Sequence, residues 1–427
     1  MLSFFFSSPR TIRAIILAAF IIPLSSTSIW AGGLELPDNT ARGFARAGAS
    51  AASVSDPSAL WFNPAGLAHA RGSQTLLDFK ITKLQSRFTR SSFEYDTASK
   101  TLQNSDDFPP VTNQENPFVS PFFATSFDFG RDDFTLGFGV FGPSAHGKRN
   151  YPVDGANRYM IVSSDVLMAF YTLGAAWKPK KNFSVGLAIQ WVDLFRSQFG
   201  LMVNMPIAEL SGAPVAPTES SQYDVLFEMD VQDRFTPSAV VGLWYQPHPR
   251  FEIGFSSRPL PVHLRSSGSF TLTPQGQTMT NILESMLSVT DNSVNLGLNL
   301  PAWFRGGFRY RHLDAQGKEL FDIEADFVYE MWSVLENFDV SLGQGFSVTF
   351  DEDQDPEPIE VAPMQIPKKY KDTYSVRLGS TVHLDEDFEL HGGAFYESGA
   401  SPKTHTNIDF TASERVGVTT GFTYTFG

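Results

Sequence analysis

Apolar residues alternate with polar or small residues along most of the chain after residue 73. In the segment 183–191, the side chains of Phe, Val, Leu, Ile and Trp alternate with those of Ser, Gly, Ala and Gln. Successive side chains of a β-strand point to opposite faces, so the pattern predicts strands with one apolar face and one polar or small-residue face. Twelve segments follow it, at 74–88, 119–128, 133–142, 165–177, 183–196, 236–245, 251–266, 293–311, 320–333, 373–384, 388–397 and 414–426.

The connections between these segments alternate between short and long. Five are short, at 129–132, 178–182, 246–250, 312–319 and 385–387, and the others are longer. Outer-membrane barrels have tight turns at the periplasmic end and long loops outside, whereas a Greek-key sandwich has no reason to alternate in this way. The chain is therefore predicted to be all-β, a transmembrane antiparallel up-and-down β-barrel of twelve strands over residues 73–427. We expect both mature termini to lie in the periplasm of a bacterial cell.

The first 72 residues lack the alternation and fall into two parts. Arg10 and Arg13 precede an apolar run at 14–24, and a serine-rich stretch follows. This order is typical of a secretory signal peptide, predicted at 1–31, and an exported chain without cysteine suits the bacterial envelope. Residues 32–72 are rich in small residues. We expect them to form a plug, called the hatch below, because larger barrels can enclose such plugs.

Composition excludes several classes of function. The chain has no Cys, which rules out thiolate metal sites and Cys catalysis, and its net charge of −14 argues against nucleic-acid partners. Its mean hydropathy of −0.13 argues against a helical membrane protein. The eight His residues show no metal-ligand spacing, and neither Gly-x-Ser-x-Gly nor His-Glu-x-x-His occurs. We therefore expect no cofactor and no metal ion.

Five motifs follow one another along the chain. They are GFARA at 43–47, NPAGL at 63–67, LPAW at 300–303, DTYSVRLG at 372–379 and GFTYTF at 421–426. The ordered set resembles the outer-membrane long-chain fatty-acid transporter family (FadL-type), which includes the toluene and xylene porins. The resemblance implies a barrel closed around a hatch, whose motif residues here are Arg46, Asn63, Pro64 and Ala65. That family has fourteen strands, so the chain either lacks a C-terminal hairpin or closes at twelve.

The resemblance also implies a function. It is passive uptake of hydrophobic small molecules, long-chain fatty acids first, with no enzyme activity. We expect a monomer surrounded by outer-membrane lipid and lipopolysaccharide. Ligands would land in an apolar outer groove, move to an internal site and leave through a lateral opening at a kink in the third strand. Two alternatives stay open: an aromatic-hydrocarbon porin of the same family, and a structural or adhesive outer-membrane barrel without transport.

Apolar residues in two long connections are candidates for the landing groove. Exposed apolar residues are costly on a loop unless they bind a ligand, although such loop segments can also simply pack on each other. The fifth connection supplies Met202, Met205 and Ile207. The seventh supplies residues spaced as one face of a short helix: Ile282, Leu283, Met286 and Leu287.

The kink of the third strand has a sequence signal of its own. Proline cannot donate to a β-ladder and glycine tolerates a bend, so both residue types suit a place where strands part. The candidates are Gly139, Gly142 and Pro143. The same residues also suit a strand that simply leaves the membrane at this point.

A carboxylate head group needs a basic partner in a largely apolar pocket. Basic residues near the outer ends of the strands meet this requirement, with ordinary charges on the rim as the alternative. The candidates are Arg196, Lys368, Lys369 and Lys371.

Two further patterns concern the barrel wall. Basic residues of the eighth segment face acidic residues of the ninth, which predicts an inward ladder of charges formed by Arg305, Arg309, Arg311, Asp322, Glu324 and Asp326. We expect this ladder to be structural, with ligand binding as the alternative. Aromatic residues just before short turns predict an interfacial girdle that contains Trp177, Trp244 and Tyr245.

Overall fold

The computed structural model describes residues 39–426 except 97–98, 100, 144–147, 205–218, 220, 350–354, 406 and 411. The predicted signal peptide and residues 32–38 of the hatch lie outside the described residues. Among the described residues, no helix combines the length and the apolar composition needed to cross a membrane.

Twelve strands in the described part of the chain pair antiparallel, each with the next along the sequence. The first six are β1 (Ser73–Thr82), β2 (Phe118–Phe127), β3 (Phe134–Phe141, resuming at Arg149–Asn150), β4 (Ser163–Lys180), β5 (Phe183–Asn204) and β6 (Asp224–His248). The last six are β7 (Phe251–Arg258 and Val262–Pro274), β8 (Ser293–Leu300 and Trp303–Leu313), β9 (Glu319–Glu330 and Asn337–Leu342), β10 (Met364–Pro367 and Thr373–His383), β11 (Phe388–Glu397) and β12 (Arg415–Tyr424). This order confirms the predicted all-β, up-and-down transmembrane barrel.

The hatch fills the lumen with short helices. They are α1 (Ala41–Ala45), α2 (Ala59–Phe62) and a 3-10 helix (Pro64–His69). The Ala41 amide donates to the carboxylate of Asp78 on β1 at 3.2 Å, and the Thr419 hydroxyl on β12 donates to the Ala45 carbonyl at 3.0 Å. Helix α1 is therefore tied to both the first and the last strand.

Short turns and long loops alternate as predicted. The short turns lie at 128–133, 181–182, 249–250, 314–318 and 384–387. Between them, the long loops carry one longer helix, α3 (Gln277–Ser285), and several small elements. The small elements are the pairs Arg87–Phe88 with Val111–Thr112 and Ser91–Asp96 with Thr101–Asp107, a sheet of Leu287–Val289, Phe346–Val348 and Glu357–Ile359, and 3-10 turns at Ser221–Tyr223, Trp332–Val334 and Lys403–His405.

The outward face of the strands is apolar. Phe79 is 66% exposed, Leu173 59%, Ile189 58% and Phe422 70%. Apolar side chains in such number would be costly against water, but the outward face of a transmembrane barrel meets lipid. The alternation along each strand thus separates a lipid-facing side from a lumen-facing side.

Two of the three aromatic residues predicted for the interfacial girdle lie on the outward face, as expected. Trp177 and Tyr245 lie half exposed on the outward face beside short turns. The assignment of Trp244 is wrong, because this side chain is buried and its Nε1 donates to the carbonyl of Ala52 in the hatch at 3.1 Å. Neighbouring residues on a strand face opposite sides, so Trp244 and Tyr245 cannot both reach the lipid.

Glycines on the inward face make room for the hatch. On nine strands a glycine lies so close to the hatch that a Cβ atom would come within 2.0 to 3.2 Å of a hatch atom. They are Gly137, Gly174, Gly186, Gly242, Gly254, Gly307, Gly379, Gly393 and Gly421. The small residues that alternate with apolar ones in the sequence therefore form the seat of the hatch, because bare backbone lets two chain segments approach closely.

The close packing of the hatch against these glycines can be tested at two neighbouring positions of β8. Replacing Gly307 with Val should destabilise the barrel by about 1–3 kcal/mol, because the new side chain would overlap Asp326 and Ala51 in an already filled space. Replacing Gly306, where a Cβ meets nothing within 4 Å, is the matched control. Thermal unfolding followed by gel mobility of the folded barrel measures both. Equal stability of the two variants would contradict a close-packed hatch.

Candidate functional site

Asn63 of the hatch motif joins three parts of the structure through one buried amide. Its Oδ1 accepts from the Ala65 amide at 3.1 Å, which caps the 3-10 helix. Its Nδ2 donates to the carbonyl of Ala51 in the hatch at 2.7 Å and to that of Leu243 on β6 at 3.0 Å. Pro64 then occupies the first helical position, where the missing N–H costs nothing. The motif residues Asn63, Pro64 and Ala65 therefore fix the hatch against the wall.

Arg46 is the charged anchor of the hatch. Its side chain is 1% exposed and donates to Asp322 at 2.8 Å, to Glu324 at 3.0 Å and to the hydroxyl of Thr381. Burial alone would lower the pKa of Arg46, but the carboxylates of Asp322 and Glu324 outweigh it and raise the pKa above its ordinary value. The guanidinium therefore stays charged inside the barrel, and its neutralising partners lie on β9.

The carboxylates of β9 also bind the backbone of the hatch. Asp326 accepts from the amides of Ser50 at 2.9 Å and Ala51 at 3.0 Å, and Glu324 accepts from the amide of Ala52 at 2.6 Å. These amides belong to a segment without helix or strand, so the side chains of β9 supply the acceptors that secondary structure does not. The hatch is held both by its own cation and by its own peptide groups.

The predicted charge ladder between β8 and β9 is only partly correct. Arg309 pairs with Asp322 at 2.8 Å, but it also pairs with Glu252 on β7 at 2.8 Å and with Glu319 at 2.6 Å. Arg305 instead donates to the carbonyl of Phe62 in the hatch at 3.0 Å. The ladder is thus a network that continues into β7 and into the hatch, because the inward side of the wall touches the hatch along its length.

At the end of the hatch near the short turns, His69 packs against the inward-facing Trp244, with ring centroids 4.1 Å apart. Burial, together with the positive charges of the nearby Lys178 and Arg71, lowers the pKa of His69 to about 4. The imidazole is therefore neutral over the ordinary pH range, and this end of the hatch rests on packing rather than on charge.

Strand β3 is interrupted at the predicted kink. It pairs with β2 up to the partners Phe122 and Phe141, and it resumes at Arg149–Asn150 opposite β4. Gly142 and Pro143 lie between these points, whereas Gly139 lies within the strand. In the described registers, residues 118–121 of β2 pair with β1 but have no partner on β3.

A hydrogen bond connects this interruption to the hatch. The Nδ2 of Asn39 donates to the carbonyl of Gly142 at 3.0 Å. A Cβ at Gly139 would come within 3.1 Å of Leu60 in α2. The kink candidates therefore lie against the hatch at the point where β2 and β3 part.

Of the four head-group candidates, Lys368 is the one that is buried in the lumen. Its ammonium pairs with Asp409 and lies 4.5 Å from the centre of the Phe338 ring. Arg149, which sequence reasoning missed, lies nearby with its guanidinium 5.8 Å from the centre of the Phe410 ring. Arg149 belongs to no motif, and only the three-dimensional structure shows that β3 resumes at this residue and brings it close to Lys368. Two buried cations thus border an aromatic part of the lumen.

The other three candidates do not reach the lumen. Arg196 is 41% exposed and pairs with Asp165 at 2.7 Å on the outward face, opposite to the inward Phe199. The alternation in β5 is shifted by bulges between Val192 and Ser197, so the sequence pattern misplaces Arg196. Lys369 is exposed and pairs with Glu336 at 2.7 Å, and Lys371 is also exposed. These three are rim charges.

The groove candidates separate into three groups. Met202 is wrongly assigned to a loop, because it lies within β5 and is buried. The predicted helix exists as α3, but Ile282 packs inward against Val225 and is 4% exposed, which corrects its placement in an open groove. Leu283, Met286 and Leu287 are half buried beside it. Met205 and Ile207 lie outside the described residues.

A cavity of about 500 Å³ lies at the ends of β4 to β7 that the long loops connect. Its lining mixes acidic, basic and apolar side chains, among them Asp165, Glu228, Asp230, Lys148, Arg149, Phe199, Met229 and Phe270. Its carboxylates would repel an anionic head group, whereas Arg149 and Phe199 also border the aromatic region around Phe410 and Lys368. The aromatic surroundings of Lys368 are the better match to a hydrophobic ligand with a polar end.

Comparisons with known proteins agree on one architecture. A family model described as outer membrane protein transport protein (OMPP1/FadL/TodX) matches residues 22–427. A Pseudomonas aeruginosa FadL homologue of solved structure is 15% identical, with a TM-score of 0.72 over 93% of this chain and 88% of that chain. The P. putida toluene transporter TodX is 16% identical, with a TM-score of 0.63 over 92% and 89%. The Ralstonia pickettii toluene transporter TbuX is 16% identical, with a TM-score of 0.61 over 92% and 90%. No curated protein matches the sequence.

The anchor of the hatch can be tested at Arg46. Replacing Arg46 with Met should destabilise the seated hatch by about 3–5 kcal/mol, because it leaves Asp322 and Glu324 buried without their cation. Released hatch segments should become accessible to protease, and the conductance of single barrels in planar bilayers should rise. The control is Arg42→Met, since Arg42 is 39% exposed and its ion pair with Glu389 is long, at 3.8 Å. If the Arg46 variant had the same conductance as the Arg42 control, Arg46 would not anchor the hatch.

Proposed function

The chain belongs to the outer membrane transport protein family OMPP1/FadL/TodX, and on this premise we propose that it is a passive outer-membrane channel for hydrophobic compounds, with long-chain fatty acids as the first substrate. The observation that carries the fatty-acid assignment is the buried pair of cations, Lys368 and Arg149, beside Phe338 and Phe410. Aromatic rings accommodate an alkyl chain, and a cation recognises the carboxylate at its end. Asp409 neutralises Lys368 while the site is empty of cargo.

The proposed route starts outside and ends in the membrane. Leu283, Met286 and Leu287 offer a half-buried apolar surface beside α3 for the first contact. The ligand then reaches the aromatic region around Lys368. It leaves where β2 and β3 part at Gly142, since a hydrophobic compound gains by entering lipid directly rather than crossing water. In this proposal the short turns and both mature termini lie in the periplasm, and a monomer is surrounded by lipid and lipopolysaccharide.

An aromatic-hydrocarbon channel is the second candidate, because two of the similar solved structures are toluene transporters. A toluene-type cargo has no anionic end and gives no reason to bury Lys368 and Arg149 in the lumen. A purely structural barrel would need neither these cations nor a hatch held by Arg46. The buried cations therefore favour an acid as cargo.

Growth on different carbon sources tests the proposal. A strain without this chain should grow poorly on a long-chain fatty acid and normally on a short-chain acid, and the wild-type chain should restore growth. Lys368→Met should restore it less well at low substrate concentration, with about tenfold weaker uptake, because a charge-assisted contact contributes about 1.5–3 kcal/mol. Lys369→Met, on the exposed rim, is the matched control. Equal uptake by both variants would reject Lys368 as the head-group partner, and equal growth without the chain would reject the fatty-acid assignment.

The lateral exit is testable because the natural chain contains no Cys. A disulfide between Pro121→Cys and Gly142→Cys should staple β2 to β3 above their last pair and block uptake until it is reduced. The control staple joins Thr125→Cys to Phe138→Cys, which are register partners in the closed part of the same two strands. Uptake that survives an oxidised upper staple would mean that cargo does not leave between β2 and β3.

A further inference from the structure

A row of phenylalanine rings lies directly below the interruption of β3. Phe122, Phe141 and Phe170 are register partners across β2, β3 and β4, and each is at most 3% exposed. Phe122 and Phe141 stack with ring centroids 4.7 Å apart. These residues form the last inward row before β2 and β3 part, and they are called the exit row below. The exit row therefore lines one edge of the place where the strands part.

The hatch places one tryptophan against the row. Trp61, in α2, meets Phe141 edge-on with centroids 5.7 Å apart, and its ring lies 6.2 Å from that of Phe170. The side chain is 9% exposed. The only polar atom of this side chain, the indole Nε1, is buried and has no hydrogen-bond partner among the described residues. Three other tryptophans do have acceptors: Nε1 of Trp244 donates to Ala52, that of Trp332 to Glu330 and that of Trp191 to Arg234.

A buried donor without an acceptor is costly, and a phenylalanine at this position would keep the ring packing and avoid the cost. Buried Trp N–H groups usually find a partner. An unmet donor that lies among aromatic rings, where β2 and β3 part, is therefore a group whose acceptor arrives with a ligand. The surrounding Phe rings admit the apolar part of that ligand, so the acceptor is carried by a mainly hydrophobic molecule.

We propose that the indole N–H of Trp61 binds a neutral hydrogen-bond acceptor of the cargo at the exit row, so that alcohols, carbonyl compounds and protonated acids pass more readily than plain hydrocarbons. A neutral acceptor fits better than a carboxylate, because the row Phe122, Phe141 and Phe170 supplies no charge and an unpaired anion is expensive to bury. This inference rests on the proposed function, since it takes uptake of hydrophobic compounds as given. It adds a preference at the exit that is separate from the cationic region around Lys368.

The test compares two cargoes that differ by one hydroxyl group. Initial uptake rates of radiolabelled 1-dodecanol and n-dodecane are measured in cells that carry the wild-type chain or Trp61→Phe. The variant should take up dodecanol roughly fivefold more slowly, the effect of losing one ordinary hydrogen bond, and dodecane at the wild-type rate. Trp177→Phe, on the lipid-facing side, is the matched control and should change neither rate.

A second measurement follows the wild-type chain itself, and the variant serves only to assign its signal. In lipid nanodiscs with ¹⁵N-labelled tryptophan, the Trp61 indole proton, identified by its loss in Trp61→Phe, should shift downfield on addition of dodecanol but not dodecane. Equal slowing of both cargoes, or no shift, would overturn the inference and leave Trp61 a packing residue. If the wild-type chain takes up neither compound, the proposed function fails, and the inference fails with it.

Discussion

Arg46 carries a full positive charge inside the barrel, and the arrangement of the lumen depends on neutralising it. Asp322 and Glu324 supply the opposite charge, while Asp326 and Glu324 accept hydrogen bonds from the amides that follow Arg46. Removing charges from water is expensive unless each one is paired and hydrogen-bonded, so the anchor tolerates little displacement. The hatch is therefore fixed at β9, and the aromatic region, the exit row and the kink are all positioned relative to that fixed point.

The two-residue repeat of the sequence gives each strand two faces that lie in different environments. Outward residues such as Ile189 meet lipid, and inward residues of the same strand, such as Gly186, leave space for Pro64. The wall thus obtains its stability from lipid-facing apolar residues and its fit to the hatch from the absence of side chains. The opposite side of the hatch, near Trp61 and β3, has apolar packing in place of ion pairs. Ionic anchoring and apolar packing consequently lie on different sides of the hatch.

Alternation, turn length and ordered motifs were enough to predict the barrel, its twelve strands and a hatch with Arg46 and Asn63 at its centre. The same alternation failed where the backbone departs from it. Bulges between Val192 and Ser197 turn Arg196 to the outer surface, and strict alternation already excludes Trp244 from the face of Tyr245. Partners far apart in sequence left no local signal. Nothing near Glu252 indicates its bond to Arg309, and Arg149 joins Lys368 only through the three-dimensional path of the chain.

The contact between Arg46 and Asp322 joins residues 276 positions apart. The hatch is made first during synthesis, but its acceptors on β9 are made only after eight other strands. Until then the guanidinium has no buried partner, and water is its best environment. Docking of the hatch must accordingly be a late event in assembly, coupled to the arrival of β9 and the strands after it. A barrel that closed before this event would enclose water in place of the hatch. The long sequence separation between Arg46 and its carboxylate partners therefore constrains the order of assembly.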